Sequence, residues 1–412
     1  MNRKTILSLS LLFSTLLLVC LLTACSGKKQ EKVVAPWGEV VDGTDSVPAD
    51  NVFSTGEIVE NGEMIVVTMS GPDTYYDYHG NGLGTQYLLC EKFAQQLGVK
   101  VRVELCRDTT EMVRKVKDGD ADLMMYMLPA DFLRQNGLKP CGATTDSLKR
   151  AWSVADANAD LATSLNKWFK PELLAEVRRE ERWMFSSRSV KRHVYAPYLN
   201  KAGGVISKYD NLFRRYSVTA RWDWRLIAAQ CYQESCFDAN ARSWAGACGL
   251  MQIMPSTADH LGLPRTELYK PERNIEAATR YIAELSTFFT DIPSMGERQN
   301  FVLAAYNGGV NHIKDAQALA RKNGRDGRRW RDVAEYVLKL QQPQYYNDPV
   351  VRAGYMRGSE TVEYVERIRQ RYAQYSGTSY VPSASVPASS GGNGDDFGMT
   401  PRRAHHKNRF KL

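Results

Sequence analysis

From Glu57 onward the chain shows two kinds of apolar spacing. Met64-Ile65-Val66-Val67-Thr68-Met69 is a continuous apolar run of strand length, Val99 to Leu105 alternates apolar and polar residues, and Ala121 to Met127 is a second continuous run. Between these strands, Gln86 to Leu97 has helical periodicity and is stopped by Gly98, and Thr110 to Asp118 reads as a short amphipathic helix. Strand, helix, strand, helix, strand predicts an α/β lobe built on a parallel sheet. Ala151-Trp152-Ser153-Val154 then reads as a returning strand, and Leu161 to Trp168 as a closing helix. Farther on, Asp223 is suited to cap a helix from Trp224 to Glu234. On that helix Ile227, Gln230, Cys231 and Glu234 share one mostly apolar stripe. A carboxyl group on such a stripe loses water, which favours its neutral form and raises its pKa into the range a general acid needs.

The flanking segments follow other patterns. Arg3 and Lys4 precede an apolar run from Ile6 to Leu22 that ends in Leu22-Thr23-Ala24-Cys25, which predicts a signal peptide over 1–24. Residues 25–56 are rich in Lys, Glu, Gly, Asp and Pro and read as a tether. The stretch 173–205 is charged, with Arg178-Arg179-Glu180-Glu181-Arg182, and reads as an irregular connector; 375–412 is a Ser-, Gly- and Pro-rich tail ending in basic residues.

With 412 residues, 43% of them hydrophobic, the chain can bury more than one core. A formal charge of +8 is too diffuse to imply nucleic acid, and at most favours anionic wall polymer. Export would place Cys90, Cys106, Cys141, Cys231, Cys236 and Cys248 where disulfides persist. None forms a Cys-x-x-Cys pair and no His-Glu-x-x-His is present, so neither a metal nor another cofactor is expected.

Three resemblances sharpen this reading. Leu22-Thr23-Ala24-Cys25 resembles the bacterial lipobox, which implies that Cys25 carries lipid and anchors the chain on the periplasmic side of the envelope. Ser26, standing where Asp often marks inner-membrane retention, favours the outer membrane. The stretch 57–172 resembles a solute-binding domain of the amino-acid-binding type. The resemblance is carried by the opening strand, Phe93-Ala94-x-x-Leu97-Gly98-Val99 and Val116-x-x-Gly119-x-Ala121-Asp122. The interval between Met127 and Trp152 is too short for the second lobe of such a protein, so one lobe is expected without its partner, as a scaffold or docking module.

The third resemblance carries the chemistry. Glu234-Ser235, then Ser243-x-x-Gly246-Ala247-Cys248-Gly249-Leu250-Met251-Gln252-Ile253-Met254-Pro255, then Ala304-Ala305-Tyr306-Asn307-Gly308-Gly309, then Glu360-Thr361-x-x-Tyr364-Val365 stand in the order of the four motifs of the soluble-lytic-transglycosylase family. With the first module in front, the chain resembles the family's membrane-bound F type. The fold class implied is multidomain α+β: the α/β lobe followed by a mostly α-helical, lysozyme-like catalytic domain over 206–374. Because all four motifs lie there, that stretch is expected to cut peptidoglycan by itself. The resemblance makes Glu234 the acid that protonates the glycosidic oxygen and then the base that deprotonates the muramyl 6-hydroxyl, giving a 1,6-anhydro sugar. It makes Tyr306 the hydrogen-bond partner of that carboxyl, puts Tyr364 near it, and assigns Ser235, Met251, Gln252 and Asn307 with both tyrosines to the substrate. Cys236 and Cys248 depart from the family pattern, and a disulfide between them would brace the site.

Two rivals stand beside this reading. A hydrolytic lysozyme on the same fold would need a second carboxylate about 5 to 9 Å from the first, and Asp238 and Asp259 are the nearest in sequence. A catalytically idle wall-binding or muropeptide-sensing lipoprotein would not need the acid.

Overall fold

A computed structural model describes residues 52–145 and 149–380, together with a two-residue strand pair, Val33–Val34 against Val40–Val41. The signal segment, Cys25 and the tail beyond Tyr380 lie outside the described residues.

The first folded element is α1 (Thr55–Asn61), fixed by a capping box in which the Ser54 hydroxyl accepts from the Glu57 amide and Glu57 reaches back to the Ser54 amide. Gly62, left-handed, turns the chain into β1 (Glu63–Thr68). A hairpin, β2 (Tyr76–Tyr78) and β3 (Asn81–Leu83), follows, then α2 (Thr85–Leu97), β4 (Lys100–Leu105), α3 (Thr109–Lys117) and β5 (Leu123–Pro129). β1 pairs parallel with β4 and with β5, as the alternation predicts. The short interval after β5 holds α4 (Ala130–Gln135) and β6 (Leu138–Thr145), before β7 (Arg150–Ala155) and α5 (Ala159–Trp168). β7 runs antiparallel to both β5 and β6, so the five-stranded sheet, order β4-β1-β5-β7-β6, is mixed rather than wholly parallel. The reason is connection length: β6 ends at Thr145 and β7 begins at Arg150, a connection long enough for a hairpin but not for a crossover, so β7 returns antiparallel.

Period-two alternation in β1 sends Met64 and Val66 into one core with residues of α2 and α5, and Val67 into another with Met112, Val116 and Leu133 of α3 and α4. The segment expected to be an irregular connector instead holds a helix, α6 (Glu172–Met184), that packs on α2. Its charged residues form the outward face, with Lys92 bonded to Glu176 and Glu180, while Val177 is buried beneath them.

The remaining helices are α7 (Asp210–Ala220), α8 (Trp224–Ser235), α9 (Pro255–His260), α10 (Pro271–Thr287), α11 (Met295–Gly308), α12 (Val310–Lys322), α13 (Trp330–Lys339), α14 (Pro343–Tyr346) and α15 (Gly358–Ser376). They enclose a separate core around Leu226, Ile227, Ala278, Phe301, Trp330 and Val365. α15 packs on both α8 and α11. That packing positions the site. Among the described residues no helix is long and apolar enough to cross a membrane.

Candidate active site

α8 starts as expected, with the Asp223 carboxylate accepting from the Arg225 amide. Ile227, Gln230 and Cys231 face the core and are fully buried; Glu234, one turn later on the same stripe, emerges at the wall of a cleft of roughly 550 Å³. The helix ends in strained backbone, since Cys236 (φ 50°) and Phe237 (φ 64°) are both left-handed, as is Gln252 (φ 47°) on the facing turn. α15 brings Tyr364 across, and its hydroxyl donates to Glu234 Oε1 at 2.5 Å. Gln230 Nε2 in turn donates to the Tyr364 oxygen at 3.1 Å, which orients that hydroxyl toward the acid. Arg192 Nη1 donates to the Glu234 backbone carbonyl at 2.9 Å.

Burial pushes the Glu234 carboxyl up from its ordinary 4.5 to about 7, against the Tyr364 hydrogen bond and the Arg192 charge, which both favour the carboxylate. Although the residue opens to the cleft on one side, desolvation dominates because protein surrounds the carboxyl itself. No carboxylate is among the groups that perturb it, among the described residues. Asp238 spends its two oxygens on the His193 and Asn240 amides, and exposed Asp259 pairs with Arg265. Three further carboxylates in the cleft are also engaged: Glu360 by Tyr78, Glu363 by Arg367, Asp77 by the Gly80 amide.

The expected substrate residues divide. Gln252, Tyr306, Asn307 and Tyr364 line the cleft with Glu234. Gln252 Nε2 donates to the carbonyls of Ala241 and Gly249, and Asn307 Oδ1 accepts from Thr361 Oγ1 at 2.7 Å. Tyr306 does not hold the carboxyl; its hydroxyl donates to the Met251 carbonyl at 2.8 Å, and the bond expected of it is made by Tyr364. The exchange follows from helix register, because Tyr364 sits on the α15 face packed against α8, whereas Tyr306 on α11 points at the Met251 turn. Ser235 and Met251 are fully buried and do not line the cleft. Ser235 Oγ donates back to the Cys231 carbonyl within α8, and the Met251 amide donates to Asn274 Oδ1. The disulfide between Cys236 and Cys248 is not formed. All six cysteines of the described residues are buried free thiols, and Cys248 Sγ lies instead 3.1 Å from the Gly246 carbonyl and 3.2 Å from the Tyr269 hydroxyl.

Sequence reasoning passed over several cleft residues. Arg192 lies in the stretch read as connector, and Tyr78 and His79 come from the α/β lobe. His312 is buried beside the cleft with Nδ1 lacking a partner among the described residues; burial pushes its pKa down to about 4. Its place one turn beyond the third motif was the only available signal. No group of three or more His, Cys, Asp or Glu side chains among the described residues is arranged to hold a metal ion.

Glu234 is thus a half-buried carboxyl poised near neutrality at the wall of the cleft. Residues 211–327 match the family model described as Transglycosylase SLT domain. The membrane-bound lytic murein transglycosylase F of Desulfosudis oleivorans is 34% identical over 54% of this chain and 48% of its own length, so the chain spans about half of that relative. The protein of the same name from Aeromonas hydrophila is 25% identical over 77% of this chain and 82% of its own length. Among solved structures, the 70 kDa soluble lytic transglycosylase of Escherichia coli is 27% identical with a TM-score of 0.30, covering 40% of this chain and 24% of that one. The arginine-bound form of domain 1 from TmArgBP is 18% identical with a TM-score of 0.25, covering 29% of this chain and 97% of that one. Residues 211–327, within the helical part that follows the α/β lobe, are thus similar to the transglycosylase SLT domain.

Proposed function

We propose that this chain is a peptidoglycan lytic transglycosylase that cleaves the β-1,4 bond between N-acetylmuramic acid and N-acetylglucosamine without water. The observation that carries the reading is Glu234: a carboxyl raised to about 7 at the wall of the cleft, held by Tyr364 through Oε1. Protonated Glu234 gives its proton to the glycosidic oxygen as the bond to the muramyl C1 breaks, and the N-acetyl oxygen of the same sugar closes on C1. The carboxylate then takes the proton of the 6-hydroxyl, whose oxygen displaces the N-acetyl group to form the 1,6-anhydro ring. Atoms balance with no water consumed, and one carboxyl suffices. A hydrolytic lysozyme would need a second carboxylate within about 5 to 9.5 Å, and the engagement of Asp77, Asp238, Asp259, Glu360 and Glu363 elsewhere disfavours it. A non-catalytic wall-binding or muropeptide-sensing role leaves the raised carboxyl without purpose.

The proposed substrate contacts are Gln252, Asn307, Tyr306 and Tyr364, within a catalytic region of about 206–374. Lipid on Cys25 is proposed as the membrane tie on the periplasmic side, with the outer membrane favoured by Ser26; the relatives' shared description as membrane-bound supports attachment. Mass spectrometry of purified peptidoglycan after digestion is the test. Anhydro ends are expected, reducing ends would establish hydrolysis instead, and uncut strands would leave only binding.

A further inference from the structure

In the sheet of the α/β lobe, β1 lies between β4 and β5 and is parallel to both. α2, on the path from β1 to β4, packs in one core, whereas α3, on the path from β4 to β5, packs in the other. The two connections leave the sheet on opposite faces, so the carboxyl ends of β1 and β5 part where the strand order reverses. In open α/β sheets that crevice is where a small ligand sits.

Here the crevice is taken by the chain itself, through the segment 346–355 that joins α14 to α15. The Tyr355 amide donates at 2.8 Å to the hydroxyl of Ser70, just past the end of β1. Tyr355 is 8% exposed and is part of the lobe's core, its ring edge-on to Tyr76 of β2 with centroids 5.0 Å apart. Tyr346 stands edge-on to Tyr355 in turn. A Cβ on Gly71 would lie 3.5 Å from the Tyr346 hydroxyl, and burial, with Tyr126 of β5 and Asp73 as nearby acidic groups, raises that hydroxyl above its ordinary pKa. Gly354 fits most closely: a Cβ there would stand 2.3 Å from Ser70 Oγ and 2.6 Å from Ser70 Cβ. From the helical side, the Asp315 carboxylate of α12 accepts from the Arg352 and Ala353 amides, and the Leu340 carbonyl accepts from the Met356 amide. The segment is thus tied to both parts of the molecule, and α15 begins at Gly358 directly after it.

We infer that the lobe is a socket rather than a receptor: its ligand crevice is filled by segment 346–355, which fixes the start of α15 and, through that helix, holds Tyr364 against Glu234. A small ligand could enter only by displacing Tyr346, Gly354 and Tyr355. Lifting them frees the first turns of the helix that carries the Tyr364 hydroxyl to the acid. Ser70 and Gly354 are therefore positioning residues, remote from the sugar.

The test uses the full chain in two arms. In the first, thermal denaturation is followed with and without each common L-amino acid at millimolar concentration. The wild-type Tm is expected to stay unchanged, because a ligand that binds the folded state would raise it; a rise overturns the inference. The second arm measures anhydro-product release against pH, and rests on the transglycosylase reading. In Gly354→Ala the added methyl meets Ser70 and lifts the segment. Release is expected to fall about tenfold or more, as loss of one hydrogen bond to a charged group predicts, and its alkaline decline to move to higher pH as Tyr364 withdraws. Ser70→Gly removes both atoms that the methyl meets, so the double variant Ser70→Gly/Gly354→Ala is expected to recover most of the release, the pH profile and the Tm. Equal loss in the single and double variants would trace the defect to the left-handed backbone of Gly354 (φ 80°) and overturn the inference. Wild-type release and pH profile in Gly354→Ala, shown folded by circular dichroism, overturn it too. Absence of anhydro ends from the wild-type digest sinks the transglycosylase reading alone, and the socket is then judged by the amino-acid arm and by recovery of Tm in the double variant.

Discussion

Glu234 and the hydroxyl on it are where the chemistry can be tested most directly. Glu234→Gln keeps size and hydrogen bonding but cannot deliver a proton. Anhydro-product formation is expected to fall by about 10⁴ or more, the upper end for general acid–base catalysis, because one group serves both halves of the reaction. Retained glycan binding and an unchanged circular dichroism spectrum would accompany the loss; release near wild-type rates would place the acid elsewhere. In the proposed mechanism the working form is the protonated one, so activity should decline as pH rises through about 7. Tyr364→Phe removes a donor that stabilises the carboxylate, so the Glu234 pKa rises further and the decline moves to higher pH. The rate at the optimum should also drop about tenfold to a hundredfold, since a hydrogen bond to a charged group contributes roughly 1.5–3 kcal/mol. A pH profile unmoved by Tyr364→Phe would show that the bond does not tune the acid. The raised pKa also couples to stability. Folded Glu234 holds its proton more tightly than the unfolded chain does, so its contribution is present below about 4.5 and is lost as pH rises through about 7. Glu234→Gln should therefore gain in Tm relative to wild type as pH increases across that window.

At the scale of elements, the site exists because α15 packs closely on α8 and α11. Gly308 makes the approach possible: a Cβ there would stand 2.7 Å from Thr361 Oγ1 and collide with the end of Met356. Gly308→Ala is expected to cost about 1–3 kcal/mol, as overpacking does, and to lower activity more than stability alone explains by moving Tyr364 away from Glu234. Thermal denaturation beside turnover at a temperature where the variant is fully folded separates the two effects. Much of this scale was legible from spacing. The Asp223 cap, the buried stripe of α8 and the lobe strands β1, β4, β5 and β7 stand where periodicity placed them, whereas β2, β3 and β6 were not read from it. α6 was not legible, because its charged outer face conceals a single buried valine and a run of opposite charges reads as solvated chain.

For the whole molecule, the question is whether 206–374 suffices. The helical core closes on itself, so that fragment should keep its helical circular dichroism. It lacks Arg192, Phe185 and the β2–β3 hairpin, all of which line the cleft, and lower turnover on purified sacculi than the full chain is expected. Equal turnover would show that the lobe does not help to build the site. Attachment tests the opposite end of the chain: Cys25→Ala should move the protein from the membrane fraction to the soluble one.

Local sequence by itself determined that Glu234 ends the apolar stripe of its helix, how that helix is capped, and β1, β4, β5, β7, α2, α3 and α5 of the lobe, because these depend on residues a few positions apart whose periodicity and capping chemistry are readable in order. Only the tertiary structure decided which tyrosine holds Glu234, that Ser235 and Met251 turn into the core, that Cys236 and Cys248 stay apart, and that the lobe closes on the cleft. Each of those depends on the rotation of one packed helix or loop against another, where a shift of a single residue along α11 or α15 changes which hydroxyl meets the carboxyl, and such rotations are set by how distant side chains fill a shared core.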